Sequence, residues 1–352
     1  MKKLIALTLL VFATCAWAED ACCPSDQECC AEFTGFVDGA WFNDMNANPD
    51  SGEFNRFSLD QVEVDIQRKL GARGFVRADL EYVNGADPMN AIDYLEQGYM
   101  QYGFPVGEKQ IDVMFGKFNA PIGYELLDPV DMYQYSHSEV FTYGLPTNLT
   151  GVKGYMDLCK RLDLHAYIVN GWDNNAENND GMTFGARLGV KPTEKIGLGI
   201  SAIVGPEAAG KGPESRTVID IDATANLVEN LVLGAELNMG SEAEAAQIGT
   251  ELEDAGWMGF LIMGHYDFDD TFGLTGRLGS FSDDFGIRTG VPQGKDLSYT
   301  SITLAPTAKL GDGMGCLLEL RMDSVNEEIW LDADGKATDA RTTVAFEVTY
   351  SF

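Results

Sequence analysis

The chain has 352 residues, with 55 acidic and 24 basic side chains and a formal net charge of −31. Such a surface excludes nucleic acid as a natural partner, because polyphosphate is bound through an excess of Lys and Arg. Beyond the N-terminus no apolar run approaches the length of about 18 residues that a membrane helix needs.

Residues 1–18 form a separate unit. Lys2 and Lys3 precede the apolar run from Leu4 to Cys15, and Ala16-Trp17-Ala18 is a small-x-small cleavage site ahead of Glu19. This is the pattern of a cleavable secretory signal peptide. Thr14 before Cys15 is a poor match to a lipoprotein signal. Removing the two lysines makes the exported chain more acidic still. Residues 19–33 are a Cys-rich entry segment, expected on the periplasmic side. Cys22, Cys23, Cys29 and Cys30 are candidate disulfide partners in an oxidising compartment. A soft metal is the alternative for these thiols, and no His stands at the spacing of a haem attachment site. Cys159 and Cys316 stand alone.

From residue 34 onward apolar and polar residues alternate in short segments. Val76, Ala78, Leu80 and Tyr82 interleave with Arg77, Asp79 and Glu81; Leu231, Leu233, Ala235, Leu237 and Met239 enclose Gly234, Glu236 and Asn238. Period two marks strands with one apolar and one polar or small face. About sixteen are expected: 34–44, 56–69, 73–83, 92–103, 110–118, 150–158, 163–171, 182–190, 195–204, 216–226, 231–240, 255–267, 272–281, 298–310, 314–325 and 341–352. Every second gap is a tight turn, and the gaps between these are long. Short turns on one side and long loops on the other imply an even strand count, with both chain ends on the short-turn side. The last strand, Val344 to Phe352, alternates to the final residue and ends on an aromatic.

The fold class is therefore all-β: a transmembrane antiparallel β-barrel of about 16 strands (14–18), spanning 34–352, with short periplasmic turns and long extracellular loops. Closure follows from the lipid, which offers no partner to an unpaired N–H or C=O. Sixteen strands enclose a lumen wide enough for water. The expected surroundings are outer-membrane lipid and the barrel assembly machinery, which would read Phe352. Pro306 within 298–310 lacks a ladder donor and predicts a local irregularity.

The inward register supplies the candidate pore lining: acids Glu63, Asp65, Asp79, Glu81, Asp112, Asp157, Asp220, Asp222, Glu236, Glu319, Asp323 and Glu347, against bases Lys153, Arg77, Arg187, Arg277 and Arg321. The excess of acid argues for cation preference; cancellation by cross-strand pairing is the opposing reading. The longest gap, 119–149, is rich in aromatics, and a loop of that length is functional or disordered. Folded inward, it would narrow the pore, with Tyr124, Glu125, Asp128 and Asp131 forming an acidic constriction; a cap on the outer rim is the alternative. The run Asp173 to Gly181 carries hard oxygen donors but lacks the full calcium-loop pattern, and a polar turn explains it. His137, His165 and His265 make no catalytic set, and no nucleophile or phosphate-loop motif occurs. No enzyme activity, cofactor or resident metal is expected.

Several segments resemble the OmpL-like β-barrel porins. They are Gly116-Lys117-Phe118-Asn119-Ala120-Pro121-Ile122-Gly123-Tyr124-Glu125, Tyr135-Ser136-His137-Ser138 with Phe141-Thr142-Tyr143, and Asn170-Gly171-Trp172-Asp173-Asn174. The likeness spans roughly 110–190. It implies a passive outer-membrane porin for ions and small hydrophilic solutes and names no substrate; porins are often homotrimers. The Cys-rich entry segment departs from the pattern. It leaves a second expectation open, a barrel scaffold that docks a periplasmic or exported partner such as an electron-transfer protein.

Overall fold

The computed structural model describes residues 31–47, 55–84, 94–210, 214–248, 250–290 and 294–352. The expected signal peptide, residues 1–18, and Cys22, Cys23, Cys29 and Cys30 lie outside the described residues. The strands are β1 (Glu32–Asp44), β2 (Asn55–Leu70), β3 (Gly74–Val83), β4 (Leu95–Val106), β5 (Lys109–Asn119), β6 (Asn148–Cys159), β7 (Leu162–Val169), β8 (Thr183–Thr193) and β9 (Ile196–Pro206). They continue with β10 (Ser215–Ala225), β11 (Leu231–Ile248), β12 (Glu251–Asp267), β13 (Phe272–Asp283), β14 (Leu297–Gly311), β15 (Met314–Val325), the two-residue β16 (Trp330–Leu331) and β17 (Ala337–Thr338), and β18 (Ala340–Ser351). Sixteen of them, all but β16 and β17, pair antiparallel with their neighbours, and β18 returns to β1 to close a barrel.

Closure runs from Phe36 opposite Ser351 to Asp44 opposite Thr343. Gly35 N–H donates to the Phe352 carbonyl at 3.1 Å, and Phe352 N–H returns a bond to the Gly35 carbonyl at 2.9 Å. The last residue is thus part of the seam. Position 35 has to be glycine, because a Cβ there would collide with the Glu63 carbonyl oxygen and the Phe352 ring.

The side chains are inverted relative to a water-soluble fold. Phe57, Met100, Phe115, Ile200, Ile262 and Phe346 are exposed, whereas Asp79, Asp220, Asn238, Thr275 and Arg277 are buried. Only an apolar surround makes that arrangement stable: hydrocarbon outside, hydrogen-bonded polar groups within. Tyr102, Phe104, Tyr266, Phe268, Tyr350 and Phe352 are exposed near the short-turn end, where an aromatic girdle sits at the lipid–water boundary. No helix among the described residues is long and apolar enough to cross a membrane.

The structure departs from the sequence expectations in three places. The gap expected at 241–254 is mostly strand: β11 and β12 extend to Ile248 and Glu251, with a register shift between Glu242 and Ala246. This stretch carries Glu and Ala in place of an apolar outer face, so the alternation that marks a lipid-facing strand is missing. The gap before β18 holds the ribbon β16–β17, with Trp330 opposite Thr338. Pro306 keeps its partner Leu274 on β13, but the ladder to β15 passes from Leu304–Leu320 to Thr307–Leu317 without a change of register. The irregularity is a missing rung on one side, as a residue without an N–H demands.

Candidate functional site

The site is the barrel interior and the segment between β5 and β6. That segment contains a 3-10 turn (Pro129–Asp131) and a π-helical turn (Val140–Gly144), and its side chains and backbone bond to the inner wall. Tyr124 N–H donates to Glu236 of β11 at 2.9 Å, and Ser136 N–H to Glu319 of β15 at 3.1 Å. Thr275 of β13 donates to the Tyr133 carbonyl at 2.8 Å, and Trp257 of β12 to the Gly144 carbonyl at 3.3 Å. Gly123, at φ 86°, turns the chain against Leu145 where a Cβ would not fit.

Two arginines fasten this loop. Arg277 pairs with Glu125 at 2.5 Å, and both side chains are essentially unexposed. Arg277 also donates to the Ser136 carbonyl. Arg321 pairs with Glu139 of the loop and with Asp323 at 2.7 Å, and it donates to the His137 carbonyl at 2.6 Å. Burial pushes the Glu125 carboxyl up, but Arg277, His137 and the Ser138 donors outweigh it and hold the group below its ordinary range. Glu125 is therefore not an open lip of a constriction; its charge is spent on Arg277. Tyr124 is partly buried against the wall, and Asp131 is exposed. Asp128 is half-buried, and its carboxyl is raised to about 8 by burial and by Glu96, Asp131 and Asp65.

The loop's bonds to Glu236, Trp257, Thr275, Arg277, Ser301, Glu319 and Arg321 fall on β11–β15. On the other side Tyr135 reaches across to Asp60 of β2 at 2.9 Å. Between the loop and the β1–β4 wall lies a cavity of about 640 Å³, whose lining includes Asp38, Arg56, Asp60, Glu81, Glu96 and Glu347. Five of those six side chains are acids.

The predicted lining residues fall into groups. Arg77 pairs with Asp65 at 3.1 Å and Asp79 at 2.7 Å, and Arg187 pairs with Asp222. With Arg277 and Arg321 committed to Glu125, Glu139 and Asp323, four of the five predicted bases are in ion pairs. The fifth, Lys153, lies over the Phe118 ring at 4.5 Å. Glu63, Asp220, Glu236, Glu319 and Glu347 are buried. Asp112 accepts from Gln110 at 2.6 Å, and Asp157 from Tyr155 at 2.7 Å. At 173–181, Asp173 Oδ1 accepts from Thr147 N, Thr147 Oγ1 and Asn148 N, which is turn chemistry.

Sequence reasoning missed Asp38, Asp60 and Glu96. Asp38 shares its buried face of β1 with the apolar Phe36 and Ala40, so polar alternation does not mark it. The other two sit at bulges. Asp38 pairs with Gln61 and Gly39 with Leu59, which makes Asp60 the extra residue on β2. Asp79 pairs with Gln97 and Leu80 with Leu95, which makes Glu96 the extra residue on β4. A bulge lets consecutive residues share a face, and Glu96 and Gln97 are both buried. The weak alternation of 92–103 was the only trace of this.

A closed sixteen-stranded barrel, apolar outside and polar within, defines an outer-membrane porin architecture. The family model described as "Putative beta-barrel porin-2, OmpL-like" matches residues 31–352, and the chain belongs to that family. No curated protein matches the chain. Among solved structures it is similar to Salmonella typhi OmpF in complex with daunomycin (TM-score 0.66, 13% identity, covering 92% of this chain and 97% of that one). It is also similar to Vibrio cholerae OmpT (0.60, 12%, 94% and 100%) and to an anion-selective porin from Comamonas acidovorans (0.60, 12%, 92% and 99%). At these identities the likeness establishes the fold. One of these barrels is described as anion-selective, and the fold by itself fixes no charge preference.

Proposed function

We propose that this barrel is a passive diffusion channel for ions and small hydrophilic solutes, narrowed by the loop between β5 and β6 and mildly selective for cations. The observation that carries the reading is the acidic cavity between the loop and the β1–β4 wall. Its lining contains Asp38, Asp60, Glu81, Glu96 and Glu347 against Arg56. Most basic residues of the inner wall are neutralised in ion pairs elsewhere, so the unpaired charge facing water is negative. A low-dielectric wall focuses that field into the passage and raises the local cation concentration. Membership in a porin family supports the reading.

The test is solute uptake into liposomes carrying the full-length barrel. Small neutral sugars should enter at rates that fall with size, and small organic cations should enter faster than anions of equal size. Liposomes that admit none of these solutes would remove the channel reading. The scaffold alternative rests on residues 19–33, of which 19–30 lie outside the described residues, and no described residue favours it.

A further inference from the structure

We propose that Glu63, Glu81 and Glu96 form a binding site for a hard divalent cation, with calcium the best fit, on the inner wall facing the loop. These residues come from β2, β3 and β4, and one carboxylate oxygen from each lies within 4.8 Å of the others. Two oxygens bound to one calcium at about 2.4 Å each are separated by no more than that span.

Two neighbouring rungs of the β2–β3 ladder make the case by contrast. Asp65 stands directly opposite Asp79, and Glu63 directly opposite Glu81. Like charges facing each other across a ladder are destabilising. The Asp65–Asp79 rung is bridged by the Arg77 guanidinium. The Glu63–Glu81 rung has no arginine across it and receives a third carboxylate instead, Glu96, delivered by the β4 bulge. Lys117, which donates to the Leu95 carbonyl, contributes a positive charge toward Glu81, against three carboxylates.

A second observation is independent of the clustering. Glu63 is 1% exposed, and its Oε2 atom has no hydrogen-bond partner among the described residues. A buried carboxylate oxygen without a partner, beside two other carboxylates, is costly unless a cation or a shared proton meets it, and a calcium ion can displace such a proton. The other two ligands are already oriented. Gln61 donates to Glu81 Oε2 at 3.1 Å, and Asn119 donates to Glu96 Oε1 at 2.7 Å. Each amide holds one oxygen and leaves the other to the ion, as outer partners do in built metal sites. Glu81 and Glu96 line the 640 Å³ cavity, which supplies the entry path. Asp128 of the loop, with Oδ1 buried and unpartnered, faces the same group. An ion here would tie the loop to the half of the wall it otherwise touches little.

All-oxygen donors on three strands suit calcium, which tolerates irregular geometry, better than magnesium, which demands an octahedron. The test is calcium titration of the full-length barrel in detergent by calorimetry, with thermal unfolding read in parallel. Wild type should bind one calcium with a dissociation constant of about 0.1–1 mM, and its unfolding temperature should rise. Glu63→Gln and Glu96→Gln should each weaken binding by about tenfold or more. In chelator both variants should unfold no earlier than wild type, because each relieves repulsion; this separates loss of a ligand from loss of the fold. Asp157→Asn, on β6 away from the cluster, should bind like wild type. The proposal is overturned if wild type takes up no calcium, if Glu63→Gln binds as tightly as wild type, or if sodium at matched ionic strength reproduces the thermal shift.

Discussion

The two halves of the lumen solve the same problem in opposite ways. Against β11–β15 the loop is fastened by buried ion pairs, Arg277 to Glu125 and Arg321 to Glu139. Against β1–β4 the wall carries acids with few cations, and a cavity of about 640 Å³ remains. The difference teaches that charge inside a barrel has two uses. Paired, it fastens the loop; unpaired and facing water, it supplies the field that the proposed channel would use. A count of inward acids and bases does not separate the two.

The largest effect should come from breaking the fastened half. Arg277→Ala leaves Glu125 buried without its partner, a loss of about 3–5 kcal/mol when one member of a buried pair is removed. Arg321→Ala should act alike. The expected result is a loop released from the wall, read as higher and noisier single-channel conductance and faster hydrogen exchange over residues 122–145. Unchanged exchange would mean that the arginines do not hold the loop.

Neutralising the open half comes next. Asp60→Asn with Glu347→Gln removes two of the five acids lining the cavity. Conductance should stay near wild type while the cation-to-anion permeability ratio falls toward unity. A ratio that does not move would show that the field arises elsewhere.

The third prediction concerns pH at the boundary between the halves. With its carboxyl raised to about 8, Asp128 in the folded loop holds a proton that the unfolded chain releases near pH 4 (about 3.9 for a free Asp). Its contribution to loop stability is therefore greatest at acid pH and declines as pH climbs from about 4 to above 8. Above that point it adds a negative charge beside the passage. Cation preference should increase between pH 7 and 9, and Asp128→Asn should lack that Asp128-dependent part of the increase. Equal pH profiles for the two proteins would contradict the assignment.

The smallest effect belongs to the outer rim. Lys295 and Glu327 pair at 2.5 Å, but the lysine side chain is 57% exposed, so Glu327→Gln should cost less than about 1 kcal/mol and leave conductance unchanged. A marked change in conductance would mean that the rim contributes to the pore.

The barrel was legible in the sequence because lipid enforces it: each spanning strand must present apolar residues at every second position, and β18 does so to its last residue. The extended ends of β11 and β12 were illegible for the converse reason, having no lipid to face. The inward acids on regular strands, such as Glu63 and Glu236, followed from the same alternation. Asp60 and Glu96 did not, because a bulge breaks the period that identifies a face. The fate of Glu125 was equally hidden. Its partner Arg277 lies on β13, far along the chain, and only the folded loop brings the two together.

The most direct measurement is the reversal potential of single channels under a salt gradient in a planar bilayer. The account predicts an aqueous conductance whose reversal potential lies on the cation side and moves toward zero in Asp60→Asn, Glu347→Gln. An anion-side potential in the wild type, or a barrel that passes no current, would contradict it.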